Sequence, residues 1–459
     1  MIASGRQRVK HGTGRASGWL VVDGTDETLV RKTEFAFKPR TRGQRRKLLA
    51  LLECTREVYN AGLAERRDAY KHPSQTKISW QDQYKALTTV REVRPEVFAF
   101  GLQPLRGALR RVDDAFSGFF DRVKHGETPG YPRFKSRGRF NTLSYPEPVS
   151  WSVDLDAKSL YVQGIGDIPL TTSAVRQLKR FAARGGIPKT LTLTRANREG
   201  TAWRAAVGYT NIAVERVTAE AEDALPLVGL DRGIAVPVAT STGDLLDFPA
   251  EVTARLDDLR VRIEETQRQR STKKKYSRAW RQLSKKIRRL HGKAARITDN
   301  WAKHTAKQLV AQSQVLALED LNLKSMTRSA RGTVEAPGSN VAAKAGLNRA
   351  LAEVAPGRLA YLVAVKAEEA GRRLWHVPAP YTSQQCSTCG LIDPESRPVR
   401  DVFCCTGCGH TTHADANAAV NIAARATAAE AAWAAAGSPL LKRRVAKPRR
   451  RKEQLLPAA

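Results

Sequence analysis

Two linked stretches, TSQQCSTCG (Thr382–Gly390) and FCCTGCGHTTHADANAAVNI (Phe403–Ile422), decide how the rest of the chain is read. They hold the pairs Cys386-x2-Cys389 and Cys405-x2-Cys408 with fifteen residues between them. That is a zinc-ribbon spacing: each pair gives two soft ligands on one tight turn, and Gly390 and Gly409 stand where the backbone must reverse. Four cysteines close a tetrahedral site, so one structural Zn²⁺ is expected. Cys404 leaves a second register open, Cys404-x3-Cys408, and His410 and His413 are further possible ligands. Asp415 follows at once, at the head of a helical run.

Outward from the ribbon, two other acids end apolar strands. LVGLD closes on Asp231 and VLALE on Glu319. Hydrolysis of a phosphodiester by two metals needs several carboxylates converging on a pair of Mg²⁺ ions. Taken singly, each acid is equally well read as a cap or a surface group, and Asp415 as the cap of ANAAVNIAARA.

The 459 residues allow several cored domains, and a hydrophobic content of 41% excludes global disorder. The formal net charge of +33 calls for a polyanionic partner. Nucleic acid fits through counterion release, a membrane surface being the competitor. No apolar run is long enough to span a bilayer, and the basic N-terminus lacks a signal-peptide core; a cytoplasmic protein, at the nucleoid when on DNA, is expected. Six cysteines are too few for a disulfide scaffold, and Cys54 reads as a packed thiol.

In chain order, residues 1–30 read as a flexible basic extension and 31–44 as a first strand ending near Pro39. Residues 45–140 read as a helical block with apolar stripes, and 141–220 as strands with one short helix around Val175–Arg184. An acidic linker, VERVTAEAEDALP, leads to three meandering strands from Val228. A basic helical hairpin breaks at STKKKYS, and residues 221–380 form a ribonuclease H-like core. The ribbon occupies 381–412, the third acid's segment 413–430, and a disordered basic tail 431–459. GYPRFKSRGRF (Gly130–Phe140) mixes cations and aromatics, which suits phosphates and stacked bases or a charged loop pinned by Tyr131 and Phe134.

REVYNAGL (Arg56–Leu63), YPRFKSR (Tyr131–Arg137), VGLDRGIAV (Val228–Val236), LEDLNLKSM (Leu318–Met326), YTSQQCSTCG (Tyr381–Gly390) and the second cysteine stretch together carry a family resemblance. From Lys32 to Ala424 the chain resembles TnpB, the RNA-guided nuclease encoded by bacterial insertion sequences, and its relatives the compact type V CRISPR effectors. The resemblance implies a multidomain α+β fold: an oligonucleotide-binding wedge β-barrel interrupted by a helical recognition lobe, then a RuvC (ribonuclease H-like) domain with an inserted zinc ribbon. It implies Asp231, Glu319 and Asp415 as the RuvC acids, with Mg²⁺ as cofactor. The partners it implies are a guide RNA and a double-stranded DNA target chosen by pairing plus a short protein-read motif. The resemblance implies Tyr59 and Asn60 near that motif; Tyr131, Arg133, Phe134 and Lys135 are candidate nucleic-acid contacts on the make-up of their own stretch. His413 stands where many relatives carry another acid. The alternatives are a guide-directed repressor without cleavage, a type V CRISPR effector, and a strand-transferring transposase that needs no guide.

Overall fold

The computed structural model describes residues 7–8, 19–22, 26–216, 225–333 and 335–437. Residues 217–224 of the expected acidic linker (214–226), most of the N-terminal extension and the basic tail from 438 lie outside them. The described residues divide into two compact units, 27–214 and the remainder. Strands β1 (Gln7–Arg8) and β2 (Trp19–Val22) belong to the second.

The 27–214 unit opens with β3 (Thr28–Phe37), in which Leu29, Thr33, Phe35 and Phe37 are buried. The chain then leaves the sheet for three helices, α1 (Arg42–Lys71), α2 (Trp80–Val93) and α3 (Gln103–Lys124). Thr41 caps α1 by accepting from the Gln44 amide, and Ser79 with Asp82 forms a capping box on α2, each cap contributing about 1 kcal/mol. The buried stripe of α1 runs Leu48, Leu51, Leu52, Thr55, Tyr59, Gly62 and Leu63, a helical period. Gly107 on α3 has no room for a side chain, since a Cβ there would lie 2.0 Å from the Ser144 carbonyl oxygen. That close approach seats α3 on β4 (Thr142–Tyr145).

After β4 come β5 (Trp151–Asp154), β6 (Ser159–Val162), β7 (Gly166–Pro169), α4 (Thr172–Ala183), β8 (Ile187–Arg195) and β9 (Trp203–Ala213). The strands read as one barrel form two antiparallel sheets, β3-β9-β8-β4 and β5-β6-β7. Both contribute to one core through Leu143, Leu160, Ile168, Leu191 and Trp203. β9 closes the excursion by pairing along β3, from Phe37↔Trp203 to Thr28↔Ala213.

The other unit is built on a seven-stranded sheet, β1-β2-β14-β13-β10-β11-β12. Its centre is β10 (Leu227–Asp231), β13 (Val315–Glu319) and β14 (Arg373–Val377), all parallel. Every residue of β13 is buried, as expected of a parallel strand covered on both faces. β11 (Val238–Thr240) and β12 (Leu245–Leu246) complete the meander after β10.

Helices α5 (Ala250–Ser271) and α6 (Arg278–Ala311) are the expected hairpin, broken at 272–277. Neither Asp nor Glu occurs between Glu265 and Asp299, while Lys and Arg recur throughout. Past β13 lie α7 (Leu323–Met326), α8 (Val341–Val354) and α9 (Pro356–Glu369). Pro356 begins α9 directly after α8, and Ala355 turns the corner between them at φ 53°. α6 and α9 cover one face of the sheet through Trp301, Ala306, Leu309, Leu359 and Val363.

The opposite face is covered by α10 (Ala414–Ala435), which packs Ile422, Ala426 and Ala429 against Leu20, Ala317, Trp375 and Val377. Helix and strand approach so closely that a Cβ on Gly229 would lie 2.2 Å from the Ala419 carbonyl oxygen. The reading of residues 1–30 as a flexible extension is corrected at β2. Its WLVV pairs antiparallel with β14, and Leu20 is buried, because the free edge of β14 offers both hydrogen bonds and an apolar face. The reading of 431–459 as a tail is corrected at its start, where residues 431–435 complete α10. No helix among the described residues is long and apolar enough to cross a membrane.

Candidate active site

Asp231 and Glu319 end adjacent parallel strands, and the pairing Leu230↔Leu318 puts them on the same step. The carboxyl edge of such strands is where open α/β sheets bind ligands. Asp415 reaches this edge from the first turn of α10. Its Oδ2 would lie 3.7 Å from a Cβ on Gly233, two residues beyond Asp231, so the turn leaving β10 passes directly beside it.

Asp231 senses the other two carboxylates. Burial, and then the charges of Glu319 and Asp415, push the Asp231 carboxyl up to about 7. Burial also raises Glu319, against the opposing hydrogen bond from the Thr382 hydroxyl and the charge of Arg232. Arg232 straps the strand ends together: its Nη2 donates to the Glu319 carbonyl at 2.7 Å and its Nη1 to the Pro356 carbonyl at 3.3 Å. Arg397 Nη2 lies 3.4 Å from Asp415 Oδ1. Asp415 does not cap its own helix; His413 Nδ1 accepts from the Asp415 amide instead, leaving the carboxylate free to face the sheet edge.

An expected result follows for stability without divalent ions. With its carboxyl near 7 when folded and near 3.8 when not, Asp231 holds more proton in the folded chain between those values. Its contribution to stability is therefore lost as pH rises through that window. In EDTA, Asp231→Asn should melt at nearly the wild-type temperature at pH 4 and above it at pH 8; equal melting at both overturns the assignment.

Among the described residues, Cys386, Cys389, Cys405 and Cys408 form the group whose ligand atoms all lie within 4.8 Å of one another; the three acids are gathered less tightly. Sγ–Sγ separations of 3.7 Å (Cys386–Cys408) and 3.6 Å (Cys389–Cys405) match the edge of about 3.8 Å that a tetrahedron of 2.3 Å Zn–S bonds requires. Gly390 and Gly409 take φ of 79° and 73°, as knuckle turns need. The Cys408 amide directed at Cys405 Sγ draws that thiol down to about 6. Cys404 is exposed on β15 (Val402–Cys404), beside Thr411 of β16 (Thr411–His413), and neither it nor His410 enters the group. The ribbon is fastened to α10 by Asn417, which binds the Ser387 amide and the Gln385 carbonyl, and by Asn421, which binds the Thr382 and Gln385 carbonyls.

In the 27–214 unit the implied nucleic-acid contacts meet at one loop, with a correction. Tyr59 is 3% exposed, packed on Phe140 at 5.8 Å, and has no free face for a base. Asn60 instead pins the loop, donating to the Lys135 carbonyl at 3.0 Å and accepting from the Lys135 amide at 2.9 Å. Tyr131 leans edge-on against Phe116 and Phe119, the Arg67 guanidinium sits over Phe134, and Arg133 is exposed. Asn60→Ala should cost about 1–3 kcal/mol, read by urea denaturation, and should open the 131–137 loop to proteolysis; an unchanged midpoint would remove Asn60 from this role. Thr382, Arg232 and Arg397 escaped the sequence reading, since no spacing rule ties them to the acids.

Three family models match in order along the chain: a helix-turn-helix domain over residues 31–75, a probable transposase (OrfB_IS605) over 211–330 and a Cas12f1-like TNB domain over 357–422. Residues 31–75 here form a strand and one long helix. InsQ of Escherichia coli (strain K12), named as an RNA-guided DNA endonuclease, is 28% identical over 403 residues, 86% of this chain and 92% of the relative. A Streptomyces pristinaespiralis protein, also named as an RNA-guided DNA endonuclease, is 27% identical over 416 residues, 88% of this chain and 92% of the relative. The structure of a Cas12f1–sgRNA–target DNA complex matches with TM-score 0.51 and 15% identity over 82% of each chain, a likeness of fold. A mixed α+β chain with several sheets and a four-cysteine ribbon, it shares the architecture of the type V effectors. The transposase models and the two relatives support a TnpB-type protein, related to those effectors.

Proposed function

We propose that the chain is an RNA-guided endonuclease that cuts double-stranded DNA, its target selected by guide pairing and a short flanking motif. The carrying observation is the meeting of Asp231, Glu319 and Asp415 at one sheet edge, where the other two charges help raise Asp231. In this reading the seven-stranded sheet is a RuvC domain and the cysteine segment its zinc ribbon. The two sheets of the 27–214 unit are the wedge, and α1–α3 the recognition lobe. The protein works in the cytoplasm, at the nucleoid when on DNA.

The carboxylates are hard oxygen donors suited to Mg²⁺, and the thiolates suit one structural Zn²⁺. Bound there, two Mg²⁺ supply Lewis-acid activation of water and charge stabilisation at the leaving oxygen. The chain's own part is placement. Thr382 and Arg232 hold Glu319 from its side chain and its carbonyl. α10 holds Asp415 over the end of β10, and Arg397 balances its charge until the site fills.

The test is plasmid cleavage by the chain reconstituted with the noncoding RNA that co-purifies with it, with Mg²⁺ or EDTA. Cleavage with Mg²⁺ alone supports the reading. Target binding without cleavage would make the protein a repressor, and strand transfer without RNA would make it a transposase.

A further inference from the structure

A cavity of about 410 Å³ opens in the 27–214 unit between α1, β8 and the end of the Gly130–Phe140 loop. Its floor is apolar, made by the part-buried Leu49 with only the edges of the buried Leu52 and Phe140, and its rim carries Arg56, Arg137, Arg195 and Arg198. One acid, Glu53, stands among the lining residues. It receives Arg56 at 2.6 Å and Arg137 at 2.9 Å, and the Arg56 hydrogen bond foremost holds its carboxyl below the usual range. Four guanidinium groups thus face one carboxylate. Arg195 spends its hydrogen bonds on neutral acceptors, the Arg137 carbonyl at 2.8 Å and Asn141 Oδ1 at 2.7 Å, which retains its charge and fixes the loop that forms one wall.

We infer that this cavity holds one unpaired, phosphorylated nucleotide of the guide RNA, its base on the apolar floor and its phosphates on the arginine rim. The assignment deepens the guide-RNA reading above and rests on it. A bare anion site would need no apolar floor, and an apolar ligand would leave an excess of three cations over anions unanswered. RNA is favoured over duplex DNA because a cavity this size accepts a base only when it has left its stack, as bases in RNA loops and bulges do. Guanidinium planes and phosphate-facing forks suit that geometry.

The experiment measures binding of the full chain to the co-purifying RNA, resynthesised and labelled, across a salt series. Ala50→Trp fills the mouth of the cavity from an exposed position on α1 without changing charge, Arg137→Ala/Arg198→Ala removes rim charge, and Lys85→Ala on the exposed side of α2 is the control. Ala50→Trp should weaken RNA binding about fivefold or more and leave duplex DNA binding unchanged. The double variant should flatten the logarithmic salt slope by about 1.4, two single-strand phosphate contacts. Wild-type binding by both variants overturns the inference, as does a loss no larger than that of Lys85→Ala per charge removed. An equal loss on duplex DNA assigns the cavity to DNA and overturns it as stated. A wild-type chain that binds no RNA defeats the guide-RNA reading itself, and this assignment with it.

Discussion

Asp231→Ala should abolish strand cleavage, by at least about a thousandfold in rate, while affinity for guide and target should stay within about twofold. The reason is position. Asp231 ends the strand beside Glu319 and below Asp415, so on the proposed reading its loss would remove one ligand of a shared site and leave the sheet under it intact. The side chain is largely buried and its carboxyl is pushed up to about 7, first by that burial, so the unmetallated variant should not be destabilised. Single-turnover cleavage assays alongside binding titrations separate the two effects. A variant that still cuts places the chemistry elsewhere; one that neither binds nor melts cooperatively has lost its fold and calls for Asp231→Asn, which keeps the shape and should be equally inactive.

Cys405→Ser is expected to lower bound zinc from one equivalent to below half and cleavage by about a hundredfold or more. Structural zinc sites supply much of the folding free energy of small ribbons, and the serine hydroxyl is a poor substitute for a thiolate. The loss reaches the acids through the neighbours of the ribbon. Thr382, which donates to Glu319, and Gln385, whose carbonyl takes Asn417 and Asn421, begin the first cysteine stretch. Arg397, opposite Asp415, lies between the knuckles. Far-UV dichroism should change little, since α10 stays packed on β10 and β14 through apolar contacts. Metal analysis showing full zinc with lost activity would sever the ribbon from the acid site; zinc loss with full cleavage would make the ribbon dispensable for catalysis.

Some of this architecture is written locally in the residues and some is not. The cysteine pairs, the strand-ending acids and the hairpin broken at STKKKYS depend on near neighbours, and these stand where their patterns place them. β2 was hidden because four apolar residues in a basic, glycine-rich context find a purpose only beside β14, some 350 residues on. Tyr59 was misjudged because helical period says which face is buried and nothing about which family contacts lie there; its stripe with Leu48, Leu52 and Leu63 is the stronger signal. That the strands of the 27–214 unit pair as two sheets over one core was not legible, because hydrogen-bond pairing between distant strands is invisible in their alternation. The contacts of Thr382, Arg232 and Arg397 with the acids are tertiary, made by single side chains across the fold.

The closing of the central sheet carries a consequence for biosynthesis. β2 leaves the ribosome early and must wait for β14, and the helix bearing Asp415, which also buries the sheet's second face, comes later still. A nascent or prematurely terminated polypeptide ending before that helix would own two of the acids and no completed core. Production of the protein would thus be self-guarding, with the capacity to cut DNA withheld until translation has passed the helix that carries Asp415.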